Sequence, residues 1–316
     1  MSPPGRLLLV ATLLALPAPL AAAQEEAYDD PADASDASDA PAATPRVAGL
    51  DAVPESVYGI PEIRTPGAGF NDGGVHFGFD VRYATDYVFR GFEPVEPQVS
   101  EDAVNVSVDA ELYFDLGRLP DPFVRIITNT AEGDDISNFQ VIRPLVGLRW
   151  EFEPFELTVG HQSFTYPDRT NLDSSEVYLE FQLNDAVFGG DEGAFLGPYV
   201  FAAYDYDAFE GVYVEGGVRR EFRVGDSALH VGYNAHVAYV DGLGELFSAT
   251  SDIDESGFQH YQVGATLRYD LNELLNLSRR YGQWSVEGYL NYTDGIDDDL
   301  LAETQLWGGG GFVFRY

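Results

Sequence analysis

The sequence predicts an all-β protein, a transmembrane antiparallel up-and-down β-barrel of about 12 strands. Three observations predict this fold. A secretory signal opens the chain, segments of alternating apolar and polar residues fill 75–316, and an aromatic strand ends it. Successive side chains on a strand point to opposite faces, so each of these segments has one apolar and one polar face.

The N-terminal part of the chain has the features of an exported protein. Residues 1–23 combine Arg6, an apolar run over 7–20 and three small residues, which predicts a cleaved signal peptide. No later stretch reaches about 18 apolar residues, so we expect no membrane helix. Residues 24–74 are rich in Ala, Asp and Pro and are expected to form a disordered linker.

The barrel domain, 75–316, begins with a long alternating segment in which Val75, Phe77, Phe79 and Val81 share one face. Its length exceeds the roughly 5–6 residues of a typical soluble strand and suits a tilted strand that crosses a bilayer. Eleven further segments follow, of which the fourth is weakened by Pro144. The predicted strands are 75–90, 103–116, 122–131, 139–152, 155–164, 175–184, 195–207, 211–224, 228–240, 258–271, 282–293 and 305–316.

Aromatic residues indicate which way the apolar face points. Alternation alone does not distinguish a soluble sandwich from a membrane barrel, but here the rings cluster at the strand ends around an aliphatic middle, as at two membrane interfaces. The predicted outer girdle contains Tyr87, Phe89, Tyr204, Tyr206, Tyr239, Tyr261 and Tyr292. The predicted inner girdle contains Phe77, Trp150, Phe152, Phe155, Tyr269, Trp284, Phe314 and Tyr316.

The last residues, Phe312, Phe314 and Tyr316, alternate along the final strand. This pattern resembles the assembly signal of outer-membrane proteins, and we expect it to be read by the barrel-assembly machinery. The expected location is therefore the outer membrane of a Gram-negative-type envelope, with outer-membrane lipid as a partner.

Charged residues occupy the opposite, inward phase of the strands. The net charge of −36 argues against nucleic acid as a partner, because nucleic-acid binding depends on a basic surface. By phase, nine Arg and fifteen acidic residues face inward. The predicted pore-lining residues are Arg82, Arg90, Arg149, Arg219, Arg268, Asp80, Asp109, Glu111, Glu180, Glu215 and Glu287.

Catalytic and metal-binding signals are weak. There is no cysteine, the five histidines are scattered, and we expect no catalytic residue, no cofactor and no metal site. Two alternatives stay open. His260 could approach His230 and His236 from the next strand and form a metal site, and His161 with Ser163 could form part of a hydrolase site.

The first strand also carries a recognisable motif, Thr85-Asp86-Tyr87-Val88-Phe89-Arg90-Gly91. It resembles the opening signature Tyr-x-Phe-Arg-Gly of the TorF-type porins, whose domain matches 75–316 in length and layout. The resemblance implies an outer-membrane barrel more firmly than it implies a substrate, since that family is called porin by analogy.

Two functions follow as hypotheses. The first is a porin for passive diffusion of small hydrophilic solutes, which prefers cations because the inward faces and the long loops are acidic. The alternative is a non-conducting structural or adhesive barrel, because about eight strands give a filled interior and 16–18 an open channel. Twelve strands lie between these limits.

Overall fold

The structure is a computed structural model. It describes residues 50–51, 62–63, 74–86, 88–91, 104–117, 119–132, 139–152, 155–167, 173–183, 196–225, 227–242, 256–297, 300, 302 and 304–316. The predicted signal peptide lies outside the described residues. So does most of the predicted linker, in which the structure describes Gly74 and one two-residue ladder, β1 (Leu50–Asp51) with β2 (Glu62–Ile63).

Twelve consecutive strands form one closed antiparallel barrel, which confirms the predicted fold and strand number. Eleven of the twelve strands lie close to their predicted ranges. The strands are β3 (Val75–Ala84), β4 (Val104–Phe114), β5 (Asp121–Glu132), β6 (Phe139–Glu151), β7 (Phe155–Phe164), β8 (Ser174–Leu183), β9 (Pro198–Asp205), β10 (Val212–Arg223), β11 (Leu229–Asp241), β12 (Gly257–Asp270), β13 (Gln283–Gly295) and β14 (Gln305–Arg315).

The barrel closes where the last strand meets the first. β14 pairs with β3 from Gly309↔Ala84 to Arg315↔Gly78. The seam extends to the final residue, because Phe77 and Tyr316 exchange two backbone hydrogen bonds of 2.6 and 2.7 Å. Closure leaves neither strand with an open edge, which is the condition for a sheet to exist in lipid.

The barrel is apolar outside and polar inside. On β8, Val177 and Leu179 are 46% and 43% exposed, whereas Glu176 and Glu180 are 0% and 2% exposed. The same inversion recurs on β12, where Leu267 is 55% and Arg268 7% exposed. A soluble protein buries its apolar face, so this outward apolar belt is the surface that meets lipid.

Aromatic side chains border that belt, largely as predicted. Tyr204 and Tyr206 are exposed near one rim, and Phe77, Phe152 and Tyr316 near the other. Neighbouring rings contact one another across strands, as with Tyr239 and Phe258 at 5.6 Å between centroids. Such girdles fit the two membrane interfaces.

The predicted first strand, 75–90, was too long, and the placement of Phe89 in the outer girdle was wrong. β3 ends at Ala84, where its register with both β14 and β4 also ends. The chain then turns into the barrel, with φ of 49° at Arg90 and 80° at Gly91. Phe89 is 4% exposed, and its ring lies 5.6 Å from that of the inward Phe164. Tyr87 lies outside the described residues.

Pro144 interrupts a ladder without ending its strand. β6 runs through it, and Pro144 sits opposite Ile126 on the β5 side. On the β7 side the register begins at Leu145↔Gln162, and an isolated bridge joins Ile142 to Thr165 beyond the gap. The missing proline donor therefore interrupts one ladder locally.

The connection between β12 and β13 contains a short helix, α1 (Leu271–Leu275), and a 3-10 turn at Arg279–Tyr281. The Asp270 side chain caps α1 by accepting a bond from the Asn272 N–H. Asn272 in turn bonds the Gly282 carbonyl at 2.8 Å and the Trp284 N–H at 2.6 Å. No helix in the described ranges has the length and apolar character needed to cross a membrane.

A charge placed on the belt should destabilise the barrel. Ala265 is exposed near the middle of β12. We expect Ala265→Arg to lower the free energy of unfolding of the protein, refolded into liposomes, by about 2–4 kcal/mol. An arginine at the membrane midplane loses its hydration and gains no partner in the lipid. The matched control is Leu119→Arg in the β4–β5 turn, where a 65% exposed side chain lies outside the belt. Equal effects at both positions would contradict the belt assignment.

Candidate functional site in the barrel lumen

The predicted pore-lining residues lie inside the barrel and are largely buried. Among them, Asp80, Arg82, Glu180 and Arg219 are 1–5% exposed, and the Glu287 side chain is 5% exposed. The alternation of each strand places all of them there except Arg90, which follows the end of β3. The interior contains clusters of paired charges, and most of these pairs join strands that are adjacent or two positions apart in the barrel order.

The first cluster joins the strands at the barrel seam. Arg82 on β3 contacts Asp80 at 3.0 Å and Glu287 on β13 at 2.5 Å. Arg315 on β14 reaches Asp80 Oδ2 from its Nη2 at 3.0 Å. Asp80 therefore accepts from two arginines, and the three strands around the closure are held together from inside.

Three further arginine clusters line the walls. Arg125 donates through Nε to Asp109 at 2.7 Å, and Arg149 lies 3.6 and 3.4 Å from Glu111 and Glu156. Arg219 pairs with Glu180, donates to Gln182 at 2.7 Å and has its Cζ 4.1 Å from the Tyr199 ring centroid. Arg268 shares Glu221 with His230, at 2.5 and 3.0 Å.

A fifth group lies across the lumen near the end at which Thr85 follows β3. The inward segment, defined here as Val88–Gly91, is buried at every residue. Arg90 contacts both Glu176 oxygens at 2.7 and 2.9 Å, and its Cζ lies 4.5 Å from the Tyr213 ring centroid. The rings of Phe89 and Phe164 lie 5.6 Å apart, and the Arg143 guanidinium carbon lies 5.5 and 5.0 Å from their centroids.

This segment crosses the lumen from wall to wall. Arg143 belongs to β6 and Glu176 to β8, while Gly91 packs on the His260 ring of β12. In the barrel order β6 and β12 are six strands apart, on opposite sides of the twelve-strand ring. The motif that resembles the TorF-type signature thus contacts opposite walls of the interior.

Apolar side chains also point inward, which the sequence reasoning missed. Phe123, Ile127, Leu145 and Phe201 are 1–5% exposed and pack with the inward tyrosines. On β5 both faces carry apolar residues, because Val124 and Ile126 are 48% and 45% exposed on the outside. In the sequence, the loss of clean alternation along 122–131 was the feature that could have predicted these inward apolar side chains.

The two residues of the candidate hydrolase site, His161 and Ser163, each contact a different partner. His161 Nε2 lies 2.6 Å from the Tyr206 hydroxyl, and Ser163 Oγ lies 3.1 Å from Ser175 Oγ. His236 and His260, in contrast, meet inside the barrel, with 3.3 Å between their Nε2 atoms. His230 lies six residues before His236 on β11 and contacts Glu221 at 3.0 Å.

Comparison with known proteins finds similarity in structure alone. No family model matches the chain, and no curated protein matches it. The resemblance to TorF-type porins therefore stays a prediction.

Solved outer-membrane proteins have similar barrels. An outer membrane channel from Pseudomonas putida F1 is 9% identical, with 80% of this chain and 100% of that chain covered and a TM-score of 0.46. A bacterial polysaccharide outer membrane secretin is 11% identical, with 77% and 98% covered and a TM-score of 0.40. A Pseudomonas aeruginosa FadL homologue is 10% identical, with 76% and 87% covered and a TM-score of 0.32. At these TM-scores the similarities carry no argument about function.

The seam cluster should contribute strongly to stability. We expect Arg82→Ala to reduce the free energy of unfolding by about 3–5 kcal/mol. The substitution removes a cation that both Asp80 and Glu287 contact, while the two carboxylates stay buried. The matched control is Arg223→Ala, which removes a pair with Glu273 whose side chains are 42% and 37% exposed. That change should have an effect of about 0–1 kcal/mol. Urea unfolding of the refolded barrels measures both, and similar losses would contradict the role of the seam cluster.

Proposed function

We propose that the protein is an outer-membrane channel for passive diffusion of small hydrophilic solutes, without catalytic activity. The observation that carries this proposal is the inverted barrel, in which an apolar belt surrounds an interior lined with charged and polar side chains. Such a wall offers a hydrated solute hydrogen-bonding partners that lipid does not. The barrel-assembly machinery, reading Phe312, Phe314 and Tyr316, would insert it.

The inward segment is proposed to set the width of the passage. Phe89 and Arg90 lie across the lumen and contact β6, β7, β8 and β10. Solutes would pass only where this segment shifts or leaves a gap beside it. The proposed channel is therefore narrow and suited to ions and very small solutes.

The lumen is proposed to prefer cations. Among the residues that the structure describes, buried carboxylates exceed buried arginines, and two of them accept hydrogen bonds from neutral hydroxyls. Glu215 accepts from the hydroxyls of Tyr199 and Tyr213, and Asp205 accepts from Ser174 at 2.6 Å. An acidic interior concentrates cations and repels anions.

A second candidate function is a non-conducting structural barrel. It is favoured by the near-zero exposure of Arg143, Gln162 and Glu176 beside the inward segment. These side chains fill the interior much as a protein core does. Conductance separates the two candidates.

Removing the inward side chains should widen the channel. In planar bilayers we expect Phe89→Ala/Arg90→Ala to raise single-channel conductance several-fold over the unmodified protein, because both side chains occupy the lumen. The control is Phe152→Ala, a half-exposed ring at the rim, which should leave conductance unchanged. Heat-modifiable migration in gels checks that each barrel is folded. Silence from both the unmodified protein and the double variant would favour the structural barrel.

Charge selectivity is a separate test. We expect the reversal potential across a salt gradient to show cation preference, and this preference should weaken as salt increases, since the Debye length falls from about 10 Å at 0.1 M to about 3 Å at 1 M. Anion preference would indicate instead that arginines control the narrowest ring.

A further inference from the structure

Two histidines meet edge to edge inside the barrel. His236 on β11 and His260 on β12 are both inward, with Nε2 atoms 3.3 Å apart and ring planes at 84°. His260 is 1% exposed, and the His236 side chain is 7% exposed. The two rings present their nitrogens to each other and do not stack.

The other nitrogen of each ring faces an oxygen acceptor. His236 Nδ1 lies 3.5 Å from Glu215 Oε1, and His260 Nδ1 lies 3.2 Å from Gln259 Oε1. Glu215, which accepts from two tyrosines, acts only as an acceptor when ionised, so the proton of neutral His236 belongs on Nδ1. When His260 Nδ1 likewise carries the proton and donates to Gln259 Oε1, both Nε2 lone pairs converge on the space between the rings, where a cation can replace the hydrogen bond that the other tautomer would form.

We propose that His236 and His260 form a binding site for a divalent first-row transition-metal ion, such as Zn²⁺, Ni²⁺ or Cu²⁺. Two nitrogen ligands at about 2.0–2.1 Å from a tetrahedral metal lie about 3.3 Å apart. The observed separation equals this value. Neutral imidazole is a preferred ligand for these ions, and Nδ1–H held by a carboxylate is the usual support of a metal-binding histidine.

The remaining ligand positions are open to water or solute. Among the described residues no three His, Asp or Glu side chains are grouped in metal-binding geometry, so the protein supplies two ligands. Gln262 follows His260 by two residues on the same inward face and lies opposite His236 in the β11–β12 register. Its Nε2 is a buried donor without a hydrogen-bond partner, available to a metal-bound water.

The surroundings hold the His260 ring in place. A Cβ at Gly91 would lie 2.4 Å from its Cγ and Nδ1, so the inward segment packs directly on this ring and requires glycine there. The metal site therefore borders the segment that the proposed function assigns to the narrowest part of the channel. Metal binding itself does not require the channel to conduct.

The test uses the full mature chain, purified with a tag that lacks histidine and titrated with Zn²⁺ or Ni²⁺ alone by calorimetry. We expect one ion per barrel with micromolar affinity. Both His236→Asn and His260→Asn should weaken binding at least tenfold, and Glu215→Gln should weaken it about 10–100-fold through loss of support for His236. With Cu²⁺, the electron paramagnetic resonance spectrum should show coupling to two imidazole nitrogens.

The matched controls are His230→Asn, a lumen histidine paired with Glu221, and His161→Asn, which lies beside Tyr206. Both should retain full affinity, and Mg²⁺ should not compete. Absence of stoichiometric binding, or binding unchanged in folded His236→Asn and His260→Asn proteins, would overturn the proposal. Block of conductance by micromolar Zn²⁺ would support both the metal site and the proposed channel. Metal binding by a barrel that does not conduct would support the metal site and contradict only the proposed channel function.

Discussion

Closure of the sheet is the constraint on which the rest of this structure depends. In lipid, no water satisfies the backbone of an edge strand, so the first and last strands must pair or the fold is lost. Here the seam runs to the terminal residue, whose N–H and C=O both bond Phe77. The aromatic end of the chain thus has a structural role in addition to any recognition by assembly proteins.

The same closure explains why the interior is charged and also paired. Outward positions must be apolar, so polar residues are confined to the inward phase, where twelve strands leave limited room for water. A charge buried there without a partner is costly. Removing one member of a buried ion pair destabilises a protein more than replacing the whole pair with apolar residues does. Hence Arg82, Arg219 and Arg268 each pair with a carboxylate two strands away, and Asp80 bridges both sides of the seam.

Strand phase was predictable from the sequence, whereas departures from the sheet were not. Period-two alternation is a local property, so the inward placement of Arg82, Arg219 and Glu180 followed from it directly. The segment after Ala84 keeps an alternating pattern but leaves the barrel wall and turns into the lumen, where Arg90 contacts Glu176, 86 residues away, and Tyr213. The approach of His260 to His236 depended on register, which phase alone does not fix.

The inward segment links these observations. Arg90 has a positive φ that a non-glycine residue adopts at some cost, and it is held there by the Glu176 pair and three aromatic rings. The segment belongs to none of the twelve paired strands, so in the proposed channel it could shift without breaking a ladder of the barrel wall. Such local rearrangements are drawn from the less stable parts of a structure. In the proposed channel, residues of the inward segment would therefore control permeability, whereas the paired strands and the seam cluster hold the barrel together.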